Sequence, residues 1–201
     1  MGRYTGPRHK ACRRARTPLC QSKRCPVDPP PIHPRGHGRA RTRQTNYLTR
    51  PREKESRRPM SGRRNRRFRR YDEEAARRPG ITGENLLRLR EQRLDNVVWR
   101  SGLAATRPQA RQLVNHGHFR VNGKKVDIAS YQVRPGDVVT IKDASRDSIV
   151  IQHAVDTQGR EAPAWLSVDL GERKVAVMDQ PRRDQIDTDI NEQLIVELYS
   201  K

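Results

Sequence analysis

Long apolar runs are missing from this chain. No stretch approaches the roughly 18 apolar residues that a membrane-crossing helix needs, so no transmembrane segment is expected. A charged-then-apolar signal at the N-terminus is missing as well. Cysteine is scarce: three are present, an odd number. Without a secretion signal that disfavours a disulfide framework and points to a reducing compartment. Aromatic residues make up 4% and hydrophobic residues 32% of the chain, and most of the apolar material follows residue 80, so a sizeable core is expected only there. There is no Gly-rich phosphate loop, no G-x-S-x-G and no H-E-x-x-H, so an enzyme is not expected.

What the chain has in excess is positive charge. Lys and Arg number 43 against 23 Asp and Glu, a formal net charge of +20. Such a chain repels itself unless a polyanion neutralises it. The excess is lopsided. Residues 1–80 hold 25 basic and 6 acidic residues, and residues 81–201 hold 18 and 17. The second part has an ordinary globular composition. The first is a polycation expected to order mainly on a partner. Arg outnumbers Lys there, and a guanidinium stacks on bases and forks onto phosphates. That favours nucleic acid over an anionic membrane surface. No membrane and no small-molecule substrate are expected.

Residues 1–50 are rich in Arg, Pro, Gly and His and are expected to form loops, with Pro29, Pro30, Pro31 and Pro34 enforcing an extended path. Gly36 and Gly38 flank His37 and allow a close backbone approach. Residues 52–58 and 63–78 predict helices, interrupted by Pro51, Pro59 and Gly62. Arg63, Arg64, Arg66, Arg67, Arg69 and Arg70 leave no helix face without positive charge, so phosphate contact is expected. A helix starting between Thr82 and Asn85 is expected to run to about Gly102, with Leu86, Leu87, Leu89 or Arg90, Leu94, Val97 and Val98 as its stripe. Arg93 and Arg100, seven apart, then point the same way, off that stripe.

Thr106-Arg107-Pro108-Gln109 is a capping-box pattern with Pro in the first turn. Ala110, Leu113 and Val114 form a buried stripe, Arg107 and Arg111 share a face, and Gly117 stops the helix. Phe119-Arg120-Val121 alternates as a strand, Asn122-Gly123 is a hairpin signal, and Lys124-Lys125-Val126 returns. Arg134 to Asp137 is another turn, followed by a strand from Val138 to Ile141. Short strands are also expected at Trp165–Val168, Lys174–Val177 and Leu194–Leu198, with loop at 181–191.

The fold class is therefore α+β. A basic loop and helical N-terminal part precedes a compact RNA-binding module of two helices followed by a β-hairpin and small sheet, with a C-terminal strand returning. The expected divisions are a basic extended segment at 1–50, a helical part at 51–91, the module at 92–160, and C-terminal strands packing back at 161–201.

Two constellations carry chemistry. Arg93, Arg100, Arg107, Arg111, Arg120, Lys124 and Lys125 come from two helices and a hairpin tip, and between residues 92 and 136 only Asp95 and Asp127 oppose them. They are expected to contact nucleic acid, with His116, His118 and Tyr131 as stackers or hydrogen-bond partners. Arg13, Arg14 and His37 complete the expected RNA-binding set. The second constellation is His9, Cys12, Cys20 and Cys25, whose spacing suits one tetrahedral Zn2+. It lies in a segment with almost no core, where a metal can organise the fold.

These residues resemble a known family. EQRLDNVVWRSGLAATRPQARQLVNHGHFRVNGKKVDIASYQVRPGDVV is similar to the RNA-binding module of bacterial small-subunit ribosomal protein S-four. MGRYTGPRHKACRR resembles that family's N-terminus, FRRYDEEAARRPGITGENLL its central helices, and NEQLIVELYSK its C-terminal strand. The resemblance implies a structural constituent of the 30S subunit that binds the 5′ domain of 16S rRNA at a multi-helix junction and nucleates assembly of the subunit body. It further implies contact with ribosomal protein S-five that influences translational fidelity, a position near mRNA where it enters the subunit, and residence in the cytoplasmic ribosome. Some members of the family carry zinc on four Cys; His9 falls where the first would be, and Cys12, Cys20 and Cys25 fit the others. The chain departs from the family at His33 to Gly38, HPRGHG in place of a PPGQHG-like turn, and in the segment before FRRY, which has almost no apolar face.

Two other classes compete. An enzyme using the same module would need a further catalytic domain, for which the chain has no room. A zinc-dependent nucleic-acid-binding regulator would use the helix at 106–115 as a recognition helix. Equal affinity for duplex DNA would favour it.

Overall fold

The computed structural model describes residues 6–15, 25, 65–157, 161–186 and 191–200. In chain order the elements are helices α1 (Arg8–Ala15), α2 (Asn65–Arg77), α3 (Thr82–Glu91), α4 (Leu94–Arg100) and α5 (Arg107–Asn115), strands β1 (Phe119–Val121), β2 (Lys124–Lys125) and β3 (Val138–Ile141), helix α6 (Ile149–Thr157), strands β4 (Leu166–Asp169) and β5 (Lys174–Val177), and helix α7 (Glu192–Tyr199). The fold class is α+β. The chain divides into two compact units, residues 1–83 with 189–201, and residues 84–188.

In the first unit, Phe68 on α2 is buried and its ring lies 5.9 Å from that of Tyr199 on α7. The sequence predicts a strand at 194–198; the structure has a helix there instead. Asn191 caps it, its side chain accepting from the Gln193 N–H at 3.1 Å, and only Ile195 of the helix is fully buried. A short apolar run does not distinguish strand from helix, and the cap decides. Loops are predicted over residues 1–50, but Arg8–Ala15 is helical. The helix predicted at 52–58, the prolines at 29–34 and the His37 turn lie outside the described residues. Asp72, buried on α2, has its carboxyl pushed up to about 6, first by burial and then by the neighbouring Glu73.

The second unit is built on one antiparallel sheet in the order β2-β1-β3-β5-β4. Phe119 pairs with Ile141 and Val121 with Val139, and Val139 in turn with Val175. These buried strand residues share one core with Leu94, Val97, Val98 and Trp99 of α4, Leu113 and Val114 of α5, Ile151 of α6, and Trp165. Asn122 and Gly123 both have positive φ, 49° and 78°, the backbone a two-residue hairpin turn of matching twist requires. Asn122 does more than turn. Its Nδ2 donates to Asp137 at 2.8 Å and its Oδ1 accepts from the Val138 N–H at 2.9 Å, so the two turns are tied together.

The capping box at Thr106 is complete. The Thr106 hydroxyl accepts from the Gln109 N–H, and the Gln109 side chain accepts from the Thr106 N–H. The one helix predicted to start between Thr82 and Asn85 and run to about Gly102 is instead two. The backbone at Gln92 and Arg93 leaves the helix, Arg93 being extended at φ −73°, ψ 138°. There it pairs with a distant segment: Leu94 N–H donates to Tyr131 at 2.9 Å, and Val133 N–H to Gln92 at 2.8 Å. Tertiary pairing overrides the helical periodicity. Helix α6 is not among the sequence predictions. It buries Ile151 and Ala154 and leaves Ile149 exposed.

Candidate nucleic-acid interface

Helices α4 and α5 of the second unit bring the arginines together. Their spacing follows from the two helical registers, and their orientation follows from fixed partners. The Arg107 guanidinium lies 3.7 Å over the ring of Trp99, and its Nε donates to Asn96 Oδ1 at 3.1 Å. Arg100 lies 5.1 Å from the same ring centre, and its Nε donates to Glu91 Oε2 at 3.1 Å. Glu91 Oε2 also accepts from Asn96 Nδ2 at 2.8 Å. Arg111 stands 3.6 Å from Asp95 Oδ2. Trp99 is thus a buried platform, 2% exposed, under two cations. A desolvated contact of this kind is worth about 2 kcal/mol.

Arg93 does not join this surface. The sequence places it off the apolar stripe, but it is 3% exposed and donates to Asp95 Oδ2 at 2.7 Å. The cause is the break between α3 and α4, which turns Arg93 from a helix-face residue into the extended residue before α4. Its ion pair with Asp95 is buried, and removing one partner of such a pair costs about 3–5 kcal/mol.

The sheet supplies the remaining cations. Lys124 and Lys125 are exposed on β2. Arg120, opposite Lys125 on β1, reaches Asp143 at 3.4 Å. Tyr131 is 36% exposed and its carbonyl accepts from Leu94 N–H. His116 follows α5 as its C-cap and is exposed. His118, half-buried, has its Nδ1 2.9 Å from the Ser145 hydroxyl. Its imidazole titrates below its ordinary value, first through burial, then through His116 and Lys142. Burial and the neighbouring positive groups thus favour its neutral form, in which the ring serves as a hydrogen-bonding group.

Several side chains that hold these arginines are not legible in the sequence. Glu91 and Asp143, which pair with Arg100 and Arg120, lie outside residues 92–136, on either side of the basic stretch. Asn96 and Trp99 belong to no motif. The nearest available signal was the WR pair at 99–100, since Arg on an aromatic face is a recurrent contact.

The other expected RNA contacts belong to the first unit. Arg69 and Arg70 are exposed on α2, with Arg69 Nε 3.1 Å from Glu73. Arg66 and Arg67 fall within α2, and Arg13, exposed, and Arg14 within α1. Arg63, Arg64 and His37 lie outside the described residues. Of the four metal-ligand candidates, His9, Cys12 and Cys25 offer ligand atoms all within 4.8 Å of one another. Both thiols are buried and neither is in a disulfide. Cys20 lies outside the described residues.

Comparison with known proteins gives a consistent result. Residues 3–91 match the family model of the ribosomal protein S4/S9 N-terminal domain, and residues 92–139 match that of the S4 domain. The chain is 50% identical over 201 residues to the small ribosomal subunit protein uS4 of Rubrobacter xylanophilus, 48% over 209 residues to that of Acidothermus cellulolyticus, and 49% over 203 residues to that of Mycobacterium avium. Each alignment spans the whole of both chains. A zinc-dependent regulator, the alternative reading of the sequence, finds no support in these matches.

Proposed function

The chain belongs to the uS4 family of small ribosomal subunit proteins, and from that premise we propose that it is a structural, non-catalytic constituent of the 30S subunit that binds the 5′ domain of 16S rRNA. The observation that carries the reading is the array of Arg100, Arg107 and Arg111, each held by an acid or amide partner, in the same unit as the exposed hairpin lysines 124 and 125. Duplex RNA hides its base edges in a deep, narrow groove, so recognition is by shape and phosphate position. Arg forks and Lys charges neutralise phosphates crowded at a helix junction, which lets RNA helices pack that otherwise repel.

On this reading the protein binds early and nucleates folding of the subunit body. Ribosomal protein S-five and mRNA at its point of access are its further neighbours, with an influence on translational fidelity. Its place is the ribosome of the cytoplasm. The chain is expected to cosediment with 30S particles after washing at about 0.5 M salt, which removes proteins held by counterion release alone. Its loss into the supernatant at that salt would contradict the reading.

Zinc belongs to the same proposal. His9, Cys12 and Cys25 fit a tetrahedral ion by donor type and proximity, with Cys20 as the fourth ligand. A bound ion would supply a cross-link in a segment poor in apolar side chains. Protein purified without chelator is expected to carry close to one equivalent of zinc by metal analysis, and below about 0.2 equivalents the site is refuted.

A further inference from the structure

Glu91 ends α3 and is 4% exposed. One of its oxygens, Oε2, accepts from both Asn96 Nδ2 and Arg100 Nε. A carboxylate can only accept, so it fixes the Asn96 amide with its nitrogen towards Glu91 and its oxygen towards Arg107. That oxygen then receives Arg107 Nε, while Trp99 supports the guanidinium from below. One acid therefore orients two arginines, Arg100 directly and Arg107 through an amide.

We infer that Glu91 and Asn96 are positioning residues for RNA binding, which preset Arg100 and Arg107 for phosphate oxygens. The inference rests on the RNA-binding reading of this face. It also makes a prediction of unusual sign. By charge alone, removing an acid beside an RNA site strengthens binding, as it would for any polycation. By positioning, the same change weakens it, because two long side chains must then be ordered on binding.

The test compares Glu91→Gln and Asn96→Ala with the parent chain. Affinity is measured for a 16S rRNA 5′-domain fragment and for unrelated duplex RNA of equal length, with far-UV circular dichroism confirming the fold. Glu91→Gln is expected to bind the rRNA fragment roughly tenfold more weakly, the size expected from loosening two rotamer-rich side chains, and Asn96→Ala, which frees Arg107 alone, roughly threefold to fivefold more weakly. Binding to the unrelated duplex is expected to be unchanged or tighter, a divergence that simple loss of structure does not produce. Should Glu91→Gln fail to fold, Asn96→Ala decides the matter, since it cuts the link to Arg107 and leaves the Arg100–Glu91 pair in place. Parental or tighter rRNA binding by the folded variants overturns the inference. An Arg107→Ala/Arg111→Ala variant run alongside separates the two failures. If that variant is weak while the positioning variants are not, the RNA face stands and the inference alone falls. If it too binds like the parent, the face falls and the inference with it.

Discussion

Replacing Arg107 and Arg111 together by alanine is expected to weaken binding to a 16S rRNA 5′-domain fragment by about 2–4 kcal/mol, roughly 30- to 900-fold, if each makes one charge-assisted phosphate contact. The two residues stand one turn apart on α5, and neither is free to wander. Arg107 lies over the Trp99 ring and donates to Asn96, and Arg111 stands 3.6 Å from Asp95. A side chain already held in place loses little entropy on binding, so more of each contact appears as affinity. The salt dependence is expected to change too, with the slope of log affinity against log salt falling by about two units. Unchanged affinity and slope in the double variant would show that RNA does not use this face.

Trp99→Ala is expected to destabilise the second unit by about 3–5 kcal/mol, the usual cost of emptying a buried aromatic position. Trp99 is buried in the core with Val97, Val98 and Leu113, so the loss is first one of packing. It is also a loss of the platform under Arg107 and Arg100. Trp99→Phe keeps a ring beneath the guanidinium and is expected to lose clearly less. Denaturant unfolding of the three proteins checks this. An alanine variant within about 1 kcal/mol of the parent would mean that Trp99 is not the shared support of core and cations.

The contrast between what the sequence revealed and what it hid has a physical origin. The capping box at Thr106 and the hairpin at Asn122-Gly123 are local devices, each satisfied by side chains or backbone angles within a few residues. Strands β1, β3, β4 and β5 were legible as short runs rich in Val, Ile, Leu and Phe, and in the structure their burial alternates with a period of two. The break at Gln92 and Arg93 was not legible, because its cause lies at Tyr131 to Val133, far along the chain. The same distant pairing takes Arg93 off the helix face. The C-terminal helix was hidden in an apolar run that suits either period, with only Asn191 marking its start. At the candidate interface the basic residues were visible as charge. Their partners Glu91, Asn96 and Asp143 were not, because pairing of that kind is settled by how the elements meet.

Affinity for a 16S rRNA 5′-domain fragment at about 0.3 M salt, set against unrelated structured RNA and duplex DNA of equal length, tests the central claim most directly. Salt at that level suppresses the counterion-release term that any chain of net charge +20 enjoys. A strong preference for the 5′-domain fragment is the predicted result. Equal binding to all three, collapsing together as salt rises, would contradict it and reduce the interface to unspecific charge.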